Sequence, residues 1–270
     1  ATTVEVQGWN LPVTNLTVEA KEKSATIRQV SVSKDGRVSN HVPFAVGTLP
    51  ETLEQEPNNT TATAQKVTLP IVVNGRVNSS GDTDEYRFEG RAGQQVVAEV
   101  YARRLDSPLD SALKLTDAKG HQLAFNDDCE DKAAGLNTHH ADSYLTATLP
   151  ADGVYYVHLS DAQRQGGAEF GYRLRLSPPQ PDFELRVVPS SLSARPAQGG
   201  TLTVYALRKD GFTNDITVFL KDAPSGFKLS SGRISGTNEQ VKVSLTVPFG
   251  SEGAPVKITL AGRAIVDGEA

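Results

Sequence analysis

A single cysteine, Cys129, stands in a chain of 270 residues, so no internal disulfide framework can brace it. Methionine is absent, there is one tryptophan, and aromatic residues make up only 6% of the chain. Each core must therefore be small and aliphatic, and the length suits two or three domains rather than one. No apolar run reaches the roughly 18 residues of a membrane span. Positive charge is also short: 27 Lys and Arg against 32 Asp and Glu give a net charge of −5. That argues against nucleic acid as a partner, because no basic stripe is available to neutralise phosphates. The lack of Met, and an opening (TTVEVQGW) that reads as mid-strand, give the expectation of a piece of a longer chain with neighbouring domains.

What is plentiful points to strands. The chain has 23 Gly and 15 Pro, with frequent Val and Thr, a mixture typical of short strands and turns. Helical periodicity is nearly missing; Thr60–Gln65 offers about one turn. Alternation recurs instead. YYVHLS (155–160) places Tyr155, Val157 and Leu159 on one face and Tyr156, His158 and Ser160 on the other. YRLRL (172–176) and EYRFEG (85–90) repeat the pattern around Tyr172, Leu174, Leu176, Tyr86 and Phe88. Strands with one wet face suit antiparallel sandwiches.

Three segments follow from the turn spacing. Residues 1–49 form an N-terminal β segment of about four strands, either the remnant of an Ig-like domain or strands docked on the next one. Residues 52–177 hold roughly eight strands, as in a jelly-roll-like sandwich. SPPQPDF (177–183) is a stiff linker. Residues 183–267 hold about seven strands and read as an Ig-like sandwich. The expected fold class is all-β, with tandem antiparallel β-sandwiches.

Oxygen-rich side chains gather in two places. EQEPNN (54–59) supplies Glu54, Glu56, Asn58 and Asn59 on a segment that favours neither helix nor strand. GDTDEY (81–86) supplies Asp82 and Asp84. Hard oxygens in this number suit Ca²⁺, which takes six to eight of them. The alternative is a solvated loop in which Asn caps a turn. NDDCED (126–131) is a possible second acidic site, with Asp127 and Asp128 and with Asp110 and Asp142 as candidate neighbours. It lacks the Asp-x-Asp-x-Asp-Gly pattern of an EF-hand, and an exposed turn is the simpler reading.

Catalytic signals are weak. His139 and His140 are adjacent, so on a strand they point to opposite faces and cannot chelate together. Cys129 sits among acids, which oppose thiolate formation. There is no HExxH and no GxSxG. GRAGQQ (90–95) lacks the Lys and the strand-to-helix context of a phosphate loop and reads as a hairpin turn. Tyr156 and His158 form a candidate ligand surface, or else pair across strands.

The middle segment resembles the bacterial pre-peptidase C-terminal domain, the family that includes the collagen-binding domains of clostridial collagenases. The motifs that carry this are EQEPNNTTATA (54–64), VNGRVNSSGDTDEYRFEGRAGQQV (73–96), LKLTDAKGHQLAFNDD (113–128) and LPADGVYYVHLS (149–160), in that order. The resemblance implies a calcium ion, with Glu54, Glu56, Asn58 and Asp84 as ligands and Asn59 and Asp82 beside them. Asn59 and Gly81 stand where some relatives carry an acid, which implies weaker binding or a single ion. The tyrosine-rich collagen platform of those relatives is missing here. The resemblance further implies a secreted, periplasmic or surface location and a non-catalytic accessory or spacer role. An adhesion module for an extracellular protein or polysaccharide, and a fragment of a secreted peptidase, are the alternatives.

Overall fold

Alternating burial along nearly every long strand divides the chain into facing sheets. The computed structural model describes residues 2–18, 26–130, 139–195, 197–249 and 255–265. Two compact units emerge, one of Ala1–Cys129 and His140–Pro178, the other of Glu130–His139 and Pro179–Ala270. Among the described residues there is no α-helix, only a 3₁₀ turn at Arg103–Leu105.

The first unit begins with six short strands: β1 (Thr2–Glu5), β2 (Asn15–Val18), β3 (Thr26–Val30), β4 (Ser33–Lys34), β5 (Arg37–Val38) and β6 (Val42–Val46). They pair as three two-stranded ribbons, β1–β2, β3–β6 and β4–β5. The sandwich proper follows with β7 (Glu51–Leu53), β8 (Gln65–Lys66), β9 (Ile71–Arg76), β10 (Thr83–Gly90), β11 (Gln95–Tyr101), β12 (Ser111–Asp117), β13 (Gln122–Asn126), β14 (Cys129–Glu130), β15 (His139–His140), β16 (Tyr144–Thr148), β17 (Gly153–Asp161) and β18 (Gly171–Ser177). A front sheet has the order β13-β12-β17-β10-β8, and a back sheet the order β16-β11-β18-β9-β7. β14 and β15 form a separate ribbon.

Eight long strands therefore split four and four, all antiparallel. The inward residues of both sheets form one aliphatic core that includes Leu113, Leu115, Val157, Leu159, Leu174 and Leu176, with Phe88 stacked on Tyr155. The short flanking strands depart from the antiparallel expectation. β7 runs parallel to β9, and β8 runs parallel to β10. Parallel neighbours need a crossover; here residues 54–64 leave the back sheet after β7 and reach the front sheet at β8. The turn at 90–95 also differs from the hairpin expected of it. β10 lies in the front sheet and β11 in the back, so this turn changes sheets, with Gly93 at φ 78°. Only a glycine holds that φ without strain.

The second unit contains β19 (Asp182–Val188), β20 (Gly199–Lys209), β21 (Ile216–Lys221), β22 (Lys228–Leu229), β23 (Gly232–Ile234), β24 (Gln240–Thr246) and β25 (Thr259–Arg263). A four-stranded sheet, β19-β20-β24-β22, and a three-stranded sheet, β23-β21-β25, enclose a separate core around Val204, Ile216, Ile234 and Val243.

Candidate metal centre

The crossing segment 54–64, which runs from β7 on the back sheet to β8 on the front sheet, carries Glu54 and Glu56. Glu54 directly follows β7, and its Oε2 accepts the backbone N–H of Arg76 at the end of β9 at 2.8 Å. That contact ties Glu54 to the back sheet. Asp84 lies on β10 in the front sheet, on the inward side with Tyr86 and Phe88, and is fully buried. The Glu56–Pro57 bond is cis. Glu54, Glu56 and Asp84 each offer a carboxylate oxygen, and the three oxygens lie within 4.8 Å of one another.

Two tyrosines reach the same point from the core. Tyr172 directs its hydroxyl to Asp84 Oδ2 at 2.7 Å and to Glu54 Oε1 at 2.9 Å, and the Tyr86 hydroxyl lies 3.1 Å from Glu54 Oε1. The two hydroxyls also contact each other. Each holds one proton, so together they can donate to only two of these acceptors. The close approach depends on Gly75, where a Cβ would come within 2.5 Å of the Tyr172 oxygen and 3.0 Å of Glu54 Oε2.

Asn58 is also fully buried. Its amide nitrogen donates to Glu54 Oε1 at 3.0 Å, and its backbone N–H donates to Glu56 Oε2 at 3.0 Å. Glu56 Oε1 accepts from Asn78 Nδ2 at 2.7 Å. An outer layer braces this group. Asn59 Nδ2 donates to Asp82 Oδ1 at 2.6 Å, while Asp82 Oδ2 takes the backbone N–H of Asn78 at 2.8 Å. Asn59 and Asp82 are thus bonded to each other beside the three carboxylates.

The electrostatics leave this group short of positive charge. None of the four acids has a Lys or Arg side chain bonded to it among the described residues. Burial, reinforced by the charge of Glu54, pushes the Asp84 carboxyl up to about 9. Burial likewise pushes the Tyr86 and Tyr172 hydroxyls well up, which keeps both protonated. Among the described residues three buried side-chain oxygens lack any hydrogen-bond partner. Two belong here, Asn58 Oδ1 and Asp84 Oδ1; the third is Glu85 Oε2. An orphaned buried acceptor costs about 1–3 kcal/mol. Oxygen-only donors, surplus negative charge and two orphaned acceptors fit a hard divalent cation.

The other candidate residues are distributed differently. The four acids of the possible second site do not gather. Asp142 is fully buried, where Oδ1 accepts the backbone N–H groups of Ala102 and Arg103, and Oδ2 pairs with Arg104 Nε at 2.7 Å. Arg104 continues to Glu99, and Glu99 to Arg175, which gives an ionic ladder on the back sheet. Asp110 accepts from Gln163, and Asp127 and Asp128 are exposed. His158 is engaged by Glu85 through Nδ1 at 3.0 Å and by Thr116 through Nε2 at 3.0 Å, while Tyr156 beside it is half-buried. The side chains of His139 and His140 lie outside the described residues. Tyr86, Tyr172 and Asn78 are site members that the sequence reading missed. Alternation marks both tyrosines as core residues but gives no sign that their hydroxyl tips converge.

No protein-family model matches the chain. A probable subtilase-type serine protease of Deinococcus radiodurans is 38% identical over 111 residues, a stretch that amounts to 39% of this chain and 14% of that protein. Among solved structures, the pre-peptidase C-terminal domain of a collagenase from Bacillus anthracis matches at 17% identity and a TM-score of 0.30, covering 42% of this chain and 94% of that one. A protein from Eubacterium rectale matches at 11% identity and a TM-score of 0.31, with 76% and 77% of the two chains covered. In the first unit's sandwich, the motifs EQEPNN and GDTDEY are the segments that meet at the carboxylate group. No helix among the described residues is long and apolar enough to cross a membrane.

Proposed function

We propose that the chain is a non-catalytic, calcium-stabilised accessory region of a secreted, protease-related bacterial protein. One observation carries the calcium reading: Glu54, Glu56 and Asp84 converge within 4.8 Å, and two buried oxygens beside them have no partner. Glu54, Glu56, Asn58 and Asp84 would hold the ion. It would supply the positive charge that no Lys or Arg provides there. Asn59, Asp82 and Asn78 orient the inner residues, and the tyrosine pair fixes Glu54 and Asp84. Ca²⁺ is favoured over Mg²⁺ because the donors are numerous and all oxygen, whereas Mg²⁺ usually keeps several waters.

The accessory role is supported by the identity to a stretch of a subtilase-type protease, in which the matched segment is a small share of the whole. The second unit, with four strands facing three, is read as Ig-like on its strand count. Thermal unfolding in Ca²⁺ and in chelator tests the calcium reading. Saturation at about 100 times Kd adds about 2.7 kcal/mol to the folded state, and terbium emission sensitised by Tyr86 and Tyr172 reports occupancy directly. Superimposable melting curves in the two buffers, together with no sensitised emission, would falsify it. Hydrolysis of a peptide or glycoside panel by the purified chain would refute the non-catalytic role.

A further inference from the structure

The outer face of the front sheet is independent of the cation site. Registers place its side chains in rows across the strands. One row runs Thr116, Tyr156, Arg87 and Lys66, on β12, β17, β10 and β8. The next runs Phe125, Lys114, His158 and Glu85, on β13, β12, β17 and β10. Glu85 and His158 bond to each other, and Glu85 is buried, so that end of the second row is closed.

The remainder presents cations and rings. Arg87 and Lys66 are exposed, Lys114 and Tyr156 are half-buried, and Phe125 is 52% exposed. Arg87 and Lys114 have no acidic partner among the described residues. Lys66 pairs with Glu89 at 3.0 Å, but both side chains are well exposed, so that bridge is weak and easily exchanged. A shallow recess lined by Lys66, Arg87, Phe88, Glu89 and Val154 adjoins the Tyr156 row, with about 80 Å³ of space. The chain as a whole carries −5, so this is a local feature and not general attraction.

The form of the face narrows the partner. β12 and β17 are interior strands paired on both sides, so no free main-chain groups can capture an extended peptide there. Recognition must come from side chains on a flat surface. A half-exposed Tyr ring offers an apolar platform, and neighbouring cations meet acid groups, with Arg87 able to fork onto a carboxylate or sulfate. We propose that this face, centred on Tyr156 between Arg87 and Lys114, binds an anionic polysaccharide. Sugar rings lie on Tyr156, and carboxylate or sulfate groups meet Arg87, Lys114 and Lys66.

Affinity electrophoresis of the whole chain tests the proposal. Gels carry polygalacturonate, dextran sulfate, neutral dextran or polyglutamate. The chain is expected to be retarded by at least one of the first two and by neither of the others. Retardation by polygalacturonate alone or by dextran sulfate alone assigns the acid group. Tyr156→Ala and Arg87→Gln should each weaken retardation on the order of tenfold, with unchanged circular dichroism. Lys114→Gln should weaken it as well, whereas Lys119→Gln, on an exposed turn off the face, should not. No retardation by either anionic polysaccharide overturns the proposal. Equal retardation by polyglutamate overturns it in favour of an acidic polypeptide, and full retardation of the folded Tyr156→Ala and Arg87→Gln proteins overturns it as well.

Discussion

Asp84 carries a carboxyl group into a fully buried position, with one oxygen bonded to Tyr172 and the other to nothing. Burial and the charge of Glu54 push that carboxyl up to about 9, so without an ion position 84 is already neutral near pH 7, as an amide would be. Asp84→Asn should therefore melt in chelator within about 1 kcal/mol of the parent while losing the calcium increment. Differential scanning calorimetry in both buffers checks this; a variant with the full increment would remove Asp84 from the site. Gly75 gives a complementary case. Its substitution by Ala sets a Cβ against the Tyr172 hydroxyl and Glu54. Gly75→Ala should cost about 1–3 kcal/mol by overpacking and should blunt the calcium response, as read by the same melts.

At the scale of elements, the segment from β7 to β8 engages both sheets while being only partly strand. β7 is held to its neighbours by a fork. Arg173 donates from Nη1 and Nη2 to the two Glu51 oxygens at 3.0 and 2.8 Å, and Asn74 adds a third bond. Partial burial raises the Glu51 pKa, but these bonds outweigh it and leave it lowered. A carboxyl lowered on folding adds stability above its unfolded pKa of about 4.5, and that stability is lost as pH falls through the folded value. Because Glu51 is substantially exposed, the contribution should be under about 1 kcal/mol. Glu51→Gln should narrow the stability difference between about pH 6 and about pH 3, one on each side of that pKa, as measured by urea titration. An unchanged difference would mean that the fork adds nothing.

Strand elements were legible because their inward residues are aliphatic and alternate, as in β17, where Tyr155, Val157 and Leu159 are buried. Strand neighbours were not. The turn at 90–95 looks like a hairpin locally, and only the sandwich as a whole sends β11 to the other sheet. The oxygen-rich motifs 54–59 and 82–84 were visible through composition. The tyrosine tips were not, since Tyr172 meets Glu54 from 118 residues away. The same blindness affects Asp142, whose partner Arg104 is 38 positions distant and turns an apparent acidic cluster into an ionic ladder.

At the scale of the molecule, two units with separate cores imply separable responses. Calorimetry should resolve two transitions, of which calcium raises only that of the first unit. Leu174→Ala, in the first core, should lower that transition by about 2–5 kcal/mol and leave the second in place. A calcium shift confined to the second unit would contradict the assignment of the site.

Glu54 is fastened to the back sheet through Arg76, and Asp84 belongs to the front sheet. An ion gripped by both would be a cross-link between the two layers, in a chain whose lone cysteine forbids an internal covalent one. Unlike a disulfide, such a staple would close or open with the calcium supply around it and would need no oxidant.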